Sequence, residues 1–128
     1  MIPRFQVWNK ATKEVHEADD IITIDFEEKQ ICVKTLFFEK VSYYDLDDVV
    51  LMQSTGFRDK NGKEIFEGDI VDSEDGILSG IVEFRPDLGM FVSTLIKYNN
   101  FERLCNVADS VYIIGNIYTN PELAEERS

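Results

Sequence analysis

A single histidine, His16, and two cysteines, Cys32 and Cys105, are the first candidates for nucleophile-and-base chemistry in this 128-residue chain. A Ser/His/Asp or Cys/His site would have to use His16. That residue sits between Glu14 and Glu17 beside a polar turn, and is expected on an exposed or edge strand. Neither cysteine lies in a motif; both adjoin apolar residues (Ile31 and Val33; Leu104), so two separate, reduced and mostly buried thiols are expected, with a mutual bridge as the alternative. There is no CxxC or HxxxH spacing for a metal. Neither Asp45, Asp47 and Asp48 nor Asp72, Glu74 and Asp75 follows the calcium-loop pattern of alternate oxygen ligands, a central glycine and a closing Glu. Gly56, Gly62 and Gly68 lack phosphate-loop spacing, since Glu64 follows Lys63 where a Ser or Thr is needed. Catalytic residues, metal ligands and cofactors are therefore expected to be none.

Charge is more informative. The formal net charge is -12, and the second half is the more acidic. Between Ile65 and Phe84 there are six acidic residues and no Lys or Arg. Such a balance opposes binding to nucleic acid or an anionic membrane, because phosphate contacts need cations. The expected interaction surface is Glu67, Asp72, Glu74, Asp75 and Glu83, which would steer a basic partner. For Trp8, Tyr43, Tyr44, Tyr98, Tyr112 and Tyr118 basic partners are expected to be absent, so core packing or a protein interface suits them better than base stacking. Asp59 and Asp69 read as turn stabilisers that accept backbone N–H groups.

These residues must be placed by short strands. Arg4–Trp8 alternates polar and apolar, and Glu14–His16 can pair back on it. Ile21–Phe26 and Ile31–Thr35 read as a hairpin, with Ile22, Ile24 and Phe26 on one face of the first strand and Ile31, Val33 and Thr35 on one face of the second. Leu36–Tyr44 fits no period and is expected irregular or extended; Asp45–Asp48 is a turn or one helical turn, and Val49–Gln53 a strand that Ser54-Thr55-Gly56 breaks. Asn61-Gly62 predicts a two-residue hairpin loop, both residues tolerating positive φ. Gly68-Asp69 and Asp75-Gly76 predict further turns, followed by strands over Gly80–Phe84, Met90–Leu95 and Val111–Ile114, the last ended by Gly115-Asn116. One or two helical turns are expected within Ile96–Ser110, and a short one at Pro121-Glu122-Leu123.

Turn signals every ten residues or so predict a mainly β fold with little helix. The expected form is one domain over 1–128: a small SH3-like barrel in the C-terminal lobe, 51–123, packed with an N-terminal β-rich hairpin lobe, 1–50. Met1-Ile2-Pro3-Arg4 does not open a signal peptide and no apolar run approaches a membrane span, so a cytoplasmic protein is expected.

The block from Gln53 to Val71, with Thr55-Gly56-Phe57, Asp59-Lys60-Asn61-Gly62-Lys63-Glu64-Ile65-Phe66 and Glu67-Gly68-Asp69, closely resembles the signature of the YopX family. Arg4–Asn9 resembles that family's opening strand, and Val111–Leu123 its closing motif. Phe57, Phe66 and Asn9 replace the more usual Leu, Tyr and Asp; the first two keep an apolar site and the third removes a charge. The family comprises small proteins encoded by phages and prophages of Gram-positive bacteria. The resemblance implies a fold and a phage origin, and transfers no activity, cofactor or catalytic residue. The expected function is a non-enzymatic phage accessory protein that contacts a host or phage protein or forms a homo-oligomer. Three alternatives are an acidic decoy of nucleic acid bound to a host DNA- or RNA-binding protein, a nucleic-acid-binding barrel, and an enzyme with an unrecognised carboxylate site.

Overall fold

Turns divide the chain into short strands, and every pairing among the described residues is antiparallel. The computed structural model describes residues 4–35 and 40–125. The chain is mainly β, with one short α-helix. Two compact units meet in sequence at Gln53 and Ser54.

In the first unit, β1 (Phe5–Asn9) pairs with β2 (Glu14–His16), which is an edge strand carrying the histidine, and with the start of β6 (Val49–Arg58). β3 (Ile21–Asp25), β4 (Gln30–Lys34) and β5 (Val41–Asp45) form a second sheet in that order. A 3-10 turn, Leu46–Asp48, links β5 to β6, with the Asp47 N–H capped by the Asp45 side chain. Val7, Ile31, Val33 and Val49 make the buried centre, with Ile21, Ile24, Tyr44, Leu46 and Leu51 packed on it. Of the Leu36–Tyr44 stretch, Val41 onward is strand; residues 36–39 lie outside the described residues.

The hairpin of β3 and β4 corrects the expected facing. The register slips between Ile21 and Thr23, so one extra residue bulges out. A bulge inverts the alternation beyond it: Ile21 and Ile24, three apart, both face the core, while Ile22 is left 45% exposed; Phe26, past the strand's end, is 64% exposed. On β4, Ile31, Cys32 and Val33 are all buried, whereas Thr35 falls beyond the strand's end.

The second unit contains the end of β6, β7 (Glu64–Phe66), β8 (Asp69–Asp72), β9 (Gly80–Arg85), β10 (Met90–Leu95), β11 (Phe101–Arg103), helix α1 (Leu104–Val107) and β12 (Tyr112–Asn116). Its five-stranded sheet runs β11-β10-β9-β8-β12. Ile65, Val71, Val82, Leu104, Val107, Ala108 and Val111 form its core. A single helical turn and a 3-10 turn occupy the expected place within Ile96–Ser110, and a 3-10 turn follows Pro121.

Ser54-Thr55-Gly56 does not end β6. The strand bulges through it, with Gly56 at φ +80° and Thr55 Oγ1 donating to the Ile65 carbonyl at 2.8 Å in place of a ladder bond. Gly115-Asn116 likewise stays within β12, past a register shift after Ile113. The Asn61-Gly62 loop is longer than expected. Asp59 N donates to Lys63 O at 2.8 Å and Gly62 N to Asp59 O at 2.9 Å, so three residues, Lys60-Asn61-Gly62, make the loop and only Gly62 takes positive φ. The Asp75-Gly76 turn sits in a seven-residue loop, 73–79, between β8 and β9.

Candidate functional site

The acidic residues expected to meet a partner fall in three places of the second unit. Asp72 ends β8 and Glu74 and Asp75 follow it in the loop to β9, Glu67 lies in the turn between β7 and β8, and Glu83 lies within β9. The loop consumes much of its own charge. Asp72 Oδ1 accepts from Ser73 N at 2.8 Å, and Asp75 Oδ1 accepts from Ser73 Oγ at 2.5 Å and Ile77 N at 3.0 Å. The Ser73 hydroxyl, then the Ile77 amide, hold the Asp75 carboxyl below the usual Asp range. Glu74 forms an ion pair with Lys60 from the 59–63 hairpin, and that ammonium lowers its pKa. Glu83 Oε2 accepts from Thr94 Oγ1 at 2.6 Å on the neighbouring strand. Glu67 adds to a rise in the Tyr118 pKa whose larger cause is burial. The five residues thus form dispersed acceptors, with Ile77 55% exposed in the midst of the loop.

Asp59 and Asp69 are structural carboxylates. Asp59 is buried, yet its pKa is lowered: burial raises it, but N–H bonds from Ile113, Lys63 and Asn61, together with the Lys63 charge, outweigh that penalty. Oδ1 accepts from Asn61 at 2.9 Å and Lys63 at 2.9 Å, and Oδ2 accepts from Ile113 at 3.0 Å, 54 residues away. Asp69 Oδ2 accepts from Phe66 N at 2.8 Å across the Gly68 bend. The Asx role expected of Asp59 from sequence accounts for the hairpin bonds; the tie to β12 has no local signal.

His16 is half-buried, 3.4 Å from Asn9 Nδ2 and stacked near Tyr44 with ring centroids 5.6 Å apart. Both thiols are unbridged, Cys32 buried and Cys105 exposed. Cys105 departs from the burial expected of it because α1 turns only Leu104 and Val107 inward. Among the described residues no group of three or more His, Cys, Asp or Glu could hold a metal ion. No described helix is long and apolar enough to cross a membrane.

Two clefts have no signature in the sequence. One, about 510 Å³, opens beside the loop between β10 and β11 and is lined by Arg85, Thr94, Lys97, Tyr98 and Phe101 among others. Here the expectation that aromatics lack basic neighbours is corrected: the Arg85 guanidinium lies 4.8 Å from the Phe101 ring centre, and Lys60 lies 5.7 Å from that of Tyr112. Both cations are already engaged, Arg85 by a two-toothed pair with Asp87 at 2.8 and 2.9 Å and Lys60 by Glu74. The fold brings these partners together from separate strands, which spacing along the chain does not reveal. The other cleft, about 390 Å³ and mostly apolar, runs along β3.

The fold has solved relatives. A crystal structure of protein EF1440 from Enterococcus faecalis matches with a TM-score of 0.65 and 29% identity, covering 98% of this chain and 99% of that one. The structure of protein yopX from Bacillus subtilis matches in fold with a TM-score of 0.63 and 24% identity, covering 94% and 96%. No curated protein matches the chain. The family model described as YopX protein spans residues 4–125, nearly every residue from the opening strand to the closing 3-10 turn, and the chain therefore belongs to the YopX family.

Proposed function

We infer that this chain is a non-enzymatic accessory protein of phage or prophage origin that acts by contacting another protein. The observation that carries the reading is the joint exposure of apolar and acidic side chains: Ile77 stands out of a loop that carries Glu74 and Asp75 and follows Asp72 at the end of β8. Such a surface pairs apolar contact with steering of a basic partner. The two buried carboxylates that could have served acid–base chemistry, Asp59 and Asp69, are instead bound to backbone N–H groups, which supports the absence of catalysis.

The test is a pull-down from host lysate at low and high salt, with the native chain and with a variant carrying Glu67→Gln, Asp72→Asn, Glu83→Gln and Ile77→Ser. Retention of one discrete protein by the native chain, weakened in the variant, is the expected outcome. Nothing retained from the host, by a chain that stays monomeric, would remove the reading. The acidic-decoy alternative rests on the run from Glu67 to Glu83 with no cation in it. It requires the retained protein to be a nucleic-acid binder that DNA competes away.

A further inference from the structure

We propose that the apolar groove along β3 is a docking site for a polypeptide segment with two apolar anchors bracketed by Lys or Arg. The proposal rests on the interaction reading above and gives it a place and a partner chemistry. The groove is lined by Phe5, Ala18, Ile21, Ile22, Ile24 and Phe26 among others, in the first unit. Two of these, Ile22 and Phe26, are 45% and 64% exposed. Ile22 on β3 and Phe26 just past its end, both open to water and both lining a cleft of about 390 Å³, form one apolar surface rather than scattered exposure. The bulge at Ile21–Thr23 creates it, since it turns Ile21 and Ile24 inward and leaves Ile22 outside.

Charge decides the occupant. Residues 14–28 contain seven acidic side chains and no Lys or Arg. They bracket the groove: the 3-10 turn Ala18–Asp20 precedes β3, and the hairpin loop with Glu27 and Glu28 follows it. Arg4 is the one cation lining the groove, and Asp19 holds it at 3.1 Å. No described Lys or Arg forms an ion pair with Asp20, Glu27 or Glu28. A five-residue strand is roughly 17 Å long, so negative charge at its two ends matches a segment whose basic residues flank a short apolar centre. A second copy of this chain is opposed, because two such grooves face to face would set the two acidic segments against each other. Nucleic acid and anionic lipid are opposed for the same reason.

The experiment is selection of random twelve-residue peptides by display on the immobilised full chain, followed by anisotropy measurements with labelled copies of the enriched peptides. Ile22→Ser with Phe26→Ser removes the anchors at exposed positions, and circular dichroism with thermal melting checks that the fold persists. Enriched peptides are expected to carry an apolar pair flanked by at least two Lys or Arg. Their affinity should fall about tenfold or more on the double substitution. It should fall about threefold or more on Asp20→Asn with Glu27→Gln and Glu28→Gln, and similarly between 50 and 500 mM salt, where screening removes the steering term. Peptides that bind the double variant as well as the native chain would overturn the groove while leaving a protein-binding role intact. Failure to enrich any peptide would overturn the groove as well, and the lysate pull-down then judges the wider reading separately. Concentration-dependent dimers in sedimentation, abolished by Ile22→Ser and Phe26→Ser, would give the groove to a second copy and refute the proposal.

Discussion

Both units cap turns with nearby side chains, and the second adds a long-range tie. In the first, polar side chains act locally. Asn9 Oδ1 accepts from Ala11 and Thr12, Asp25 Oδ1 from Glu27 and Glu28, and Asp45 Oδ1 from Asp47, each within three residues. In the second, Asp59 is buried and joins its own hairpin to β12 over a separation of 54 residues. The buried apolar centres differ too, four residues in the first unit against seven in the second. The second unit thus joins the larger buried cluster to a buried carboxylate tie, while the first leaves Ile22 and Phe26 exposed beside its smaller one.

Asp59→Ala offers the largest way to break that comparison. It orphans three buried or half-buried N–H groups and should cost about 3 kcal/mol in urea unfolding, since hydrogen bonds to a charged acceptor are the strong ones. Next comes Gly80→Ala, where a new Cβ would lie 2.1 Å from Ser93 Oγ and 3.1 Å from the Thr94 carbonyl. Crowding of that kind costs about 2 kcal/mol. Ser93 Oγ is buried with no hydrogen-bond partner. Ser93→Ala alone should therefore stabilise by about 1 kcal/mol, and combined with Gly80→Ala it should recover part of the loss.

Asp59 also sets an acid limit. Its folded pKa lies below that of the unfolded chain, so its contribution is complete above the ordinary Asp value, about pH 3.9, and is lost as the pH falls through the folded value. Asp59→Asn should flatten that part of the stability–pH curve, as read from urea midpoints between about pH 5 and 2.5. It also puts an amide donor against one of the N–H groups, so the variant should be weaker at neutral pH as well.

Asp25→Ala tests the local style of the first unit. Only a two-N–H cap is lost, and about 1 kcal/mol is expected. A cost equal to that of Asp59→Ala would erase the difference between the units. Glu74→Gln should have the smallest effect of all, because the Lys60–Glu74 pair is on the surface and screened by salt. A shift in melting temperature as large as that of Asp25→Ala would show that the pair clamps its loop.

Much of the turn chemistry was legible. Gly62, Gly68 and Gly76 all take positive φ where turns were expected, and the cap at Asp45 and the short helix near Leu104 fall in place. The misreadings cluster at irregular pairings. Thr55 and Gly56 bulge rather than break β6, and Gly115 and Asn116 stay within β12 past a register shift. Of the candidate surface, the stretch holding Asp72, Glu74 and Asp75 was legible as an acidic run. The groove beside β3 was not, since Ile22, Ile24 and Phe26 read as one alternating apolar face, whereas a bulge separates Ile22 from Ile24 and the strand ends before Phe26.

The amino-acid sequence by itself determined where the chain bends, that the product is mainly β, and that its surface is anionic. Backbone sterics settle a bend within about four residues, and composition fixes the charge. Only the tertiary structure decided which faces are buried and which distant groups meet, as with Asp59 and Ile113 or Arg85 and Phe101. The side-chain period of a strand is two, so a single inserted residue sends everything beyond it to the opposite face, and register is a property of the paired strand.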